Sequence, residues 1–406
     1  MSKVIVIGGG PAGMMAAITA SKQKNNKVVI LEKNNKLGKK LFITGKGRCN
    51  VTNNKEISEF FEFIHTNSNF LYSALYTYTN LDTINFFENN GLKLKVERGD
   101  RIFPDSDKSS DIIKIFEKEL YKNHVEVKLE SEVNKFNIKN SAIESVELKN
   151  GNVIKGDSFI LCTGGKSYPQ TGSDGYGYSL SKSIGHNVII PKPALVPLEL
   201  KEEYVKELQG ISLKNVEVKI TDNKKILYSN FGEMIFTHFG VSGPIILTGS
   251  SVVNGRENLK LHINLKPALN FCELDKRIQK DFKKYSNKDF KNSLDDLLPK
   301  RLIEVIIHLS NIDPYKKVNL ITKEERKILV ELLQDLTLDI KGTRPIDEAI
   351  ITSGGIDVKE IDPSTMCSKL ISNLYFAGEI IDVDATTGGF NIQIALSTGY
   401  LSGLNA

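Results

Sequence analysis

Little in this 406-residue sequence points to stapling, spanning or repetition. Its four cysteines, Cys49, Cys162, Cys272 and Cys367, lie far apart, with no CxxC or similar pair. That spacing argues against a redox-active disulfide and against a zinc site, so no metal is expected. No apolar run approaches the ~20 residues of a membrane span. Met1-Ser2-Lys3 leads straight into an apolar strand, without a charged leader or a small-residue cleavage site. Scattered thiols in such a chain fit a reducing compartment, and a cytoplasmic location is expected. Charge of one sign is also scarce. Lys and Arg number 54 against 49 Asp and Glu, and the resulting +5 is too weak by itself to argue for nucleic acid. Neither a membrane nor a nucleic acid is expected as a partner; a small molecule is. There is no internal repeat and no low-complexity tract.

What is present is an ordinary globular composition, 40% apolar and 25% charged, in a chain long enough for a large domain carrying insertions. Val4-Ile5-Val6-Ile7 is a continuous β-rich run suited to a strand buried on both faces. GGGPAG and a small-residue helix follow, then a second buried strand, Val28-Val29-Ile30-Leu31-Glu32. The order is that of a βαβ unit. Residues 33–54 read as a basic, glycine-rich loop, and helical patterns cover 58–90 and 109–122, the latter capped by Ser109-Ser110-Asp111. Strands are predicted over 125–129, 142–148, 153–155 and 159–162. After Pro191 and Pro193 the texture changes. Strict alternation over 216–220 and 259–265 predicts an antiparallel sheet with one wet face. Apolar residues at three- and four-residue steps from Leu294 to Leu309 predict a helix, and Thr322-Lys323-Glu324-Glu325 is a capping box that opens another. The expected fold is α/β. A Rossmann-type domain over 1–190 and 355–406 is interrupted by a β part (191–265), a helical part (266–335) and a return segment (336–354).

The chemistry-bearing motifs cluster in the two outer parts. Gly8, Gly10 and Gly13 form a GxGxxG turn between strand and helix. Gly8 permits the tight turn, Gly10 lets the backbone approach a pyrophosphate, and Gly13 allows close helix–strand packing. With Pro11 and Ala12 they would set that pyrophosphate on the helix N-terminus. Glu32, 19 residues after Gly13, ends the second strand, where a carboxylate accepts hydrogen bonds from an adenosine ribose; Lys33 adjoins it. The loop that follows supplies Lys40, Thr44, Gly47, Arg48, Cys49 and Asn50. Lys46 or Arg48 would hold the pyrophosphate while Cys49 and Asn50 border an isoalloxazine; the alternative is a solvated basic loop. Thr163, Gly164 and Gly165 end the buried strand over 159–162. The C-terminal run places Gly378 and Glu379 at a strand end, then Gly388, Gly389, Phe390 and Asn391 before a small-residue helix. Backbone N–H groups of that turn would face flavin N1 and the C2 carbonyl, where negative charge develops on reduction. This late return of the chain favours FAD over NAD. The catalytic candidates are Asn391 in that turn and His238 in Thr237-His238-Phe239, a proton donor on one reading. On the other, the block is a hinge in which Ser242 caps a helix and Pro244 occupies its first turn. Arg101 is either an anion contact or a surface arginine.

The segments GGGPAG, KKLFITGKGRCNVTN and NLYFAGEIIDVDATTGGFNIQIALSTGYLSG resemble the bacterial flavoprotein family that includes BaiN-like reductases and aminoacetone-oxidase-type enzymes. GDRIFP at 99–104 and FTHFGVSGP at 236–244 match as well, so the similarity spans essentially the whole chain. The resemblance implies a glutathione-reductase-like FAD domain interrupted by a β-barrel-like and a helical subdomain. It further implies that Val133 meets adenine through its backbone, that Gly164 closes over the cofactor and that Asp382 joins Glu379 at the ribityl chain. Ala385-Thr386 and Cys367 depart from the family pattern and leave the substrate open.

The expected activity is FAD-dependent hydride exchange between a small molecule and flavin N5. NAD(P)H, visiting the flavin directly because no second GxGxxG exists, or oxygen would be the second redox partner. The alternatives are an oxidase of small amines and a flavin-dependent RNA-modifying enzyme. Only the lysine-rich stretch 276–291 supports RNA, and Glu273, Asp281 and Asp289 dilute it.

Overall fold

The computed structural model describes residues 2–23 and 25–406; Met1 and Lys24 lie outside the described residues. The chain divides into two compact units, Met1–Pro193 with Ile346–Ala406, and Ala194–Pro345.

The first unit is built on a five-stranded parallel sheet. Its spatial order is Leu374–Phe376, Ser158–Leu161, Ser2–Ile7, Asn26–Leu31 and Glu126–Lys128. Val4 to Ile7 sit at its centre with no side chain more than 4% exposed, which is why they read as an unbroken apolar run. The strand from the C-terminal segment joins this sheet next to Ser158–Leu161, so the last part of the chain completes the first part's fold. On the sheet, the helix Pro11–Ser21 packs against the last helix, Phe390–Asn405. They approach backbone to backbone. A Cβ on Gly399 would stand 2.4 Å from the Ala12 carbonyl oxygen, and one on Gly403 would stand 2.3 Å from that of Ala16. Glycine four residues apart on one helix and alanine four apart on the other share this seam.

Several local expectations change. The segment 33–54 is not all loop: Lys39–Gly47 is helical, broken at Thr44, Gly45 and Lys46, where the backbone leaves helical geometry. The helical pattern over 58–90 is interrupted. It holds a 3-10 turn at Ile57–Phe63, a short strand at Ile64–Thr66, and the helices Tyr72–Thr77 and Asn80–Asn89. Ser109 does not cap the helix Ser109–Lys122. It lies inside the first turn, and its hydroxyl donates to the Phe42 carbonyl at 2.6 Å. An unpredicted strand, Val133–Lys139, pairs antiparallel with Ala142–Leu148.

The second unit is a closed antiparallel barrel. Its strands run Leu198–Leu200, Gly240–Ser242, Lys225–Thr237, Ser212–Asp222, Leu259–Asn264 and Leu336–Thr343, the last pairing back to the first. Val218, Ile220, Leu261 and Ile263 point inward and are fully buried, while Lys219 and Lys260 alternate outward. Closure leaves no open edge. The same core continues into the helices Phe271–Lys284, Lys300–Ser310 and Lys323–Gln334 through Leu274, Leu302 and Leu329. The Thr322 cap is present, its hydroxyl accepting from the Glu325 N–H at 3.2 Å. Leu294, Leu297 and Leu298 are buried but precede the helix, which starts after Pro299. Pro244 holds the first turn of Pro244–Gly249, yet Gly243, not Ser242, is at its N-cap, without a side-chain cap.

Candidate cofactor site

The glycine turn after the first strand shows a separate reason for each glycine. Gly8 has φ +109°, and a Cβ there would meet the Cys162 carbonyl at 2.4 Å. A Cβ on Gly13 would lie 1.9 Å from the Gly8 carbonyl. Gly10 differs: it caps the helix with extended backbone, and a Cβ there would have no neighbour within 4 Å. The fold therefore needs Gly8 and Gly13 for its own packing, whereas no contact within the chain demands a glycine at position 10. Pro11 follows as the first helical residue, where its missing N–H costs nothing.

Glu32 is buried under this turn. One carboxylate oxygen accepts from the Gly9 N–H at 2.7 Å, the other from the Asn34 backbone N–H at 2.8 Å and side-chain amide at 2.7 Å. Lys33 pairs with Asp174 at 2.7 Å. A second carboxylate, Glu379, accepts from the Lys40 ammonium at 2.7 and 3.0 Å, from the Ser167 hydroxyl at 3.2 Å and from the Thr352 N–H at 2.8 Å. Gly164 and Gly165 bring the chain past it, with Cβ positions 3.9 Å from a Glu379 oxygen and 3.1 Å from its carboxyl carbon. Asp382, three residues on, is buried. Burial raises its pKa first; Asn67, which donates to its carboxylate at 3.0 Å, opposes this, and Asp384 and Asp357 add to it.

The C-terminal turn is sterically closed. Gly388 and Gly389 have φ +133° and +98°, and a Cβ on Gly389 would stand 2.3 Å from the Thr52 carbonyl oxygen. Phe390 is buried, stacked on Phe63 at 4.6 Å and edge-on to Phe60 at 4.9 Å. Gly378 is held by its N–H, which donates to the Thr398 hydroxyl at 3.0 Å.

Some residues expected at the cofactor are otherwise engaged. The Arg48 guanidinium binds Asp107 at 2.7 Å and Glu97, and lies 4.2 Å from the Phe103 ring centroid. These contacts brace its own loop. Cys49 is wholly buried, and burial pushes its thiol up to about 12. Both ends of the Asn391 amide bond backbone, accepting from the Ala385 N–H at 3.0 Å and donating to the Ala385 carbonyl at 2.8 Å. Asn391 thus braces the turn. His238 is exposed in the second unit, between Lys225–Thr237 and Gly240–Ser242, its ring 4.9 Å from Phe239. Val133 opens its strand with a buried side chain. Gly47 (φ +83°) faces open space, and Thr44 accepts the Cys49 N–H through its carbonyl at 3.0 Å.

The residues fit a dinucleotide in a second way. Among the described residues, the buried Asn50 Oδ1, Thr163 Oγ1, Ser173 Oγ and Thr386 Oγ1 have no hydrogen-bond partner within the chain. Such atoms are costly unless a further group meets them. Ser167, Thr352 and Asn67 escape a reading of the sequence, since nothing local marks them as partners of acids 212, 27 and 315 residues away. Among the described residues there is no group of three or more His, Cys, Asp or Glu that could hold a metal, and no helix long and apolar enough to cross a membrane.

Comparison with known proteins bears on the family and the fold. The chain is 31% identical to the 3-dehydro-bile acid delta(4,6)-reductase of Clostridium scindens, over 99% of this chain and 98% of that one. It is also 31% identical to the ribosomal RNA dihydrouridine synthase of Escherichia coli, over 98% and 96%. The solved 3-ketosteroid delta1-dehydrogenase of Sterolibacterium denitrificans shares its fold at a TM-score of 0.52 and 11% identity, covering 99% of both chains. Fold and site define an FAD-dependent oxidoreductase of the Rossmann type. The chain belongs to the HI0933-like Rossmann domain family, whose model matches residues 2–405.

Proposed function

We propose that this protein reduces a carbon–carbon double bond conjugated to a carbonyl in a small molecule, with NAD(P)H as the source of electrons. One observation carries the reading: two relatives, equally similar over nearly the whole chain, have names that describe the same reaction on different substrates. A 3-oxo steroid unsaturated at positions 4 and 6 and a uracil ring both present a C=C bond in conjugation with C=O.

Bound FAD supplies hydride exchange at N5. The residues around it divide the remaining work. The helix N-terminus at Gly10 takes the pyrophosphate, and Glu32 the adenosine ribose. Glu379 and Asp382 orient the ribityl chain. The N–H groups of the turn 388–391 offer fixed donors where negative charge develops, a contribution typically worth ~3 kcal/mol. His238 is proposed as a proton donor.

A second reading, a uracil in RNA as substrate, is favoured by one surface of the second unit. The acids of the lysine-rich stretch are engaged: Asp281 with Arg277 at 3.0 Å, Asp289 with Lys317 at 2.8 Å, and Glu273 at the Asn270 N–H at 2.9 Å. Lys276, Lys280 and Lys283 have no ion pair among the described residues, and Lys288 and Lys291 lie 4.4 and 4.1 Å from the rings of Tyr285 and Tyr315. Lysines interleaved with aromatics are a phosphate-and-base surface.

Anaerobic mixing of the photoreduced holoprotein with a 3-oxo-4-ene steroid, a simple enone or a uracil-containing ribosomal RNA fragment tests both readings. Rapid flavin reoxidation with a saturated product supports conjugated-alkene reduction, and the productive acceptor names the substrate class. Reoxidation by oxygen alone, with turnover of amines, would overturn it in favour of an oxidase.

A further inference from the structure

Glu379 is held from three directions, and two of its partners lie outside every motif of the sequence. Thr352 is 1% exposed and Ser167 fully buried. The Thr352 N–H donates to Glu379 at 2.8 Å, while its hydroxyl oxygen accepts from the N–H groups of Lys166 at 2.8 Å and Ser167 at 3.1 Å. The Ser167 hydroxyl in turn meets both Glu379, at 3.2 Å, and the Lys40 ammonium, at 2.7 Å. Gly165 is where it is because Thr352 fills the space beside it: a Cβ there would stand 2.4 Å from Thr352 Oγ1. Thr352 sits in Ile351–Ile356, the strand by which the chain re-enters the first unit, and that strand pairs with Val188–Ala194, by which it leaves.

We propose that Thr352 and Ser167 are positioning residues that set the Glu379 carboxylate for the ribityl half of FAD, and so fasten the returning strand of the chain to cofactor binding. This rests on the reading of Glu379 as a cofactor contact. The physical case is one of constraint. A carboxylate on a flexible side chain loses rotamer freedom when it binds a hydroxyl-rich ligand. Here that loss is taken in the fold, by buried donors that leave few other orientations. Lys40, 2.7 Å from Glu379, adds an ion pair to the hydrogen bonds from Ser167 and Thr352.

The experiment compares FAD and ADP affinity of the apoprotein for the wild type and for Thr352→Val, Thr352→Ser, Ser167→Ala and Glu379→Gln. ADP reports the adenine half alone, which Gly10 and Glu32 serve. Flavin fluorescence measures FAD, and calorimetry measures ADP. Ser167→Ala is expected to weaken FAD by about tenfold, the scale of a hydrogen bond to a charged group, and Thr352→Val to weaken it similarly by freeing the Lys166 and Ser167 backbone that its hydroxyl holds, with ADP unchanged and Thr352→Ser close to wild type. Thr352→Val also strands two buried N–H groups, so if it fails to fold, Ser167→Ala decides. Parallel loss of ADP and FAD in Ser167→Ala would overturn the proposal, since it would mark a general packing role. Unchanged FAD affinity in Ser167→Ala, with weakened affinity in Glu379→Gln, overturns the positioning role alone. Unchanged affinity in Glu379→Gln overturns the assignment of Glu379 and this inference with it.

Discussion

Gly13 lies so close beneath Gly8 that a Cβ on it would stand 1.9 Å from the Gly8 carbonyl oxygen, whereas at Gly10, three residues earlier, a Cβ would touch nothing. The two glycines of one motif thus answer to different demands. Gly13→Ala is expected to destabilise the apoprotein by about 3 kcal/mol, because backbone cannot move aside as a flexible side chain can. Gly10→Val is expected to lower apoprotein stability by no more than about 1 kcal/mol, the scale of a poorer N-cap. It should abolish the yellow colour of the purified protein and weaken FAD at least about a hundredfold. Thermal melts of both apoproteins beside an FAD titration check this. Tight FAD binding by Gly10→Val would mean that the turn does not cradle a pyrophosphate.

The C-terminal turn and the histidine of the second unit should separate in kinetics. Any side chain at Gly389 meets the Thr52 carbonyl at 2.3 Å and must adopt a φ of +98°, so Gly389→Ala displaces the first N–H groups of the last helix. The expected result is an FAD dissociation constant raised by about tenfold or more. His238→Ala should leave that constant unchanged and slow only the half-reaction that delivers a proton to substrate, by on the order of 10²-fold. Rapid-mixing of both variants distinguishes the roles. Equal effects on both measurements would remove His238 from the chemistry.

How much of this was readable from the residues alone follows from how local each constraint is. The fingerprint glycines and Glu32 are legible because one turn of backbone determines them. The partners of Arg48 are illegible for the opposite reason: Glu97 and Asp107 reach it from 49 and 59 residues away. Lys40 and Glu379 meet across 339 residues, a pairing that no spacing rule encodes. The helix at Lys39–Gly47 hides behind its glycines, of which Gly45, with Thr44 and Lys46, does interrupt it. Over 58–90 the helical period is real in two stretches, but the strand Ile64–Thr66, paired with Asp384 and Ala385, breaks it through a tertiary contact.

Asp382 provides a pH signature. Its folded pKa is raised, chiefly by burial, above that of an unfolded carboxylate. Between those two values the folded state holds the extra proton, so stability falls as pH rises through the window. Above it the ionised, buried Asp382 is a standing cost. Asp382→Asn keeps an acceptor for Asn67 and removes the charge. The apoprotein variant should be more stable than wild type at pH 7, by on the order of 1 kcal/mol, with the difference shrinking as pH falls toward 4. Denaturant melts across this range check the sign; a gap that widens on acidification would show that the charge is stabilised rather than tolerated. FAD affinity should fall in the same variant if Asp382 accepts from the ribityl chain.

We propose that residues 194–345 form a domain that can be excised without loss of cofactor binding. The chain leaves the first unit on Val188–Ala194 and returns on Ile351–Ile356, and these two strands pair with each other. Their ends are therefore neighbours, and a short glycine–serine linker can join 193 to 346 at a closure cost that grows only slowly with length. The apolar core of the barrel and its helices is self-contained: the cluster around Val218, Ile263, Leu302 and Leu329 draws all its residues from within 194–345. The sheet, the glycine turn, Glu32 and Glu379 all lie outside it. The linked protein should fold, bind FAD within about tenfold of wild type and release it on denaturation. It should lose turnover of the physiological substrate, because His238 leaves with the excised segment. Size-exclusion, flavin absorbance and the reoxidation assay measure the three outcomes separately. A linked protein that folds yet binds no FAD would place part of the cofactor's binding energy in 194–345, and retained turnover would mean that neither His238 nor its unit takes part in catalysis.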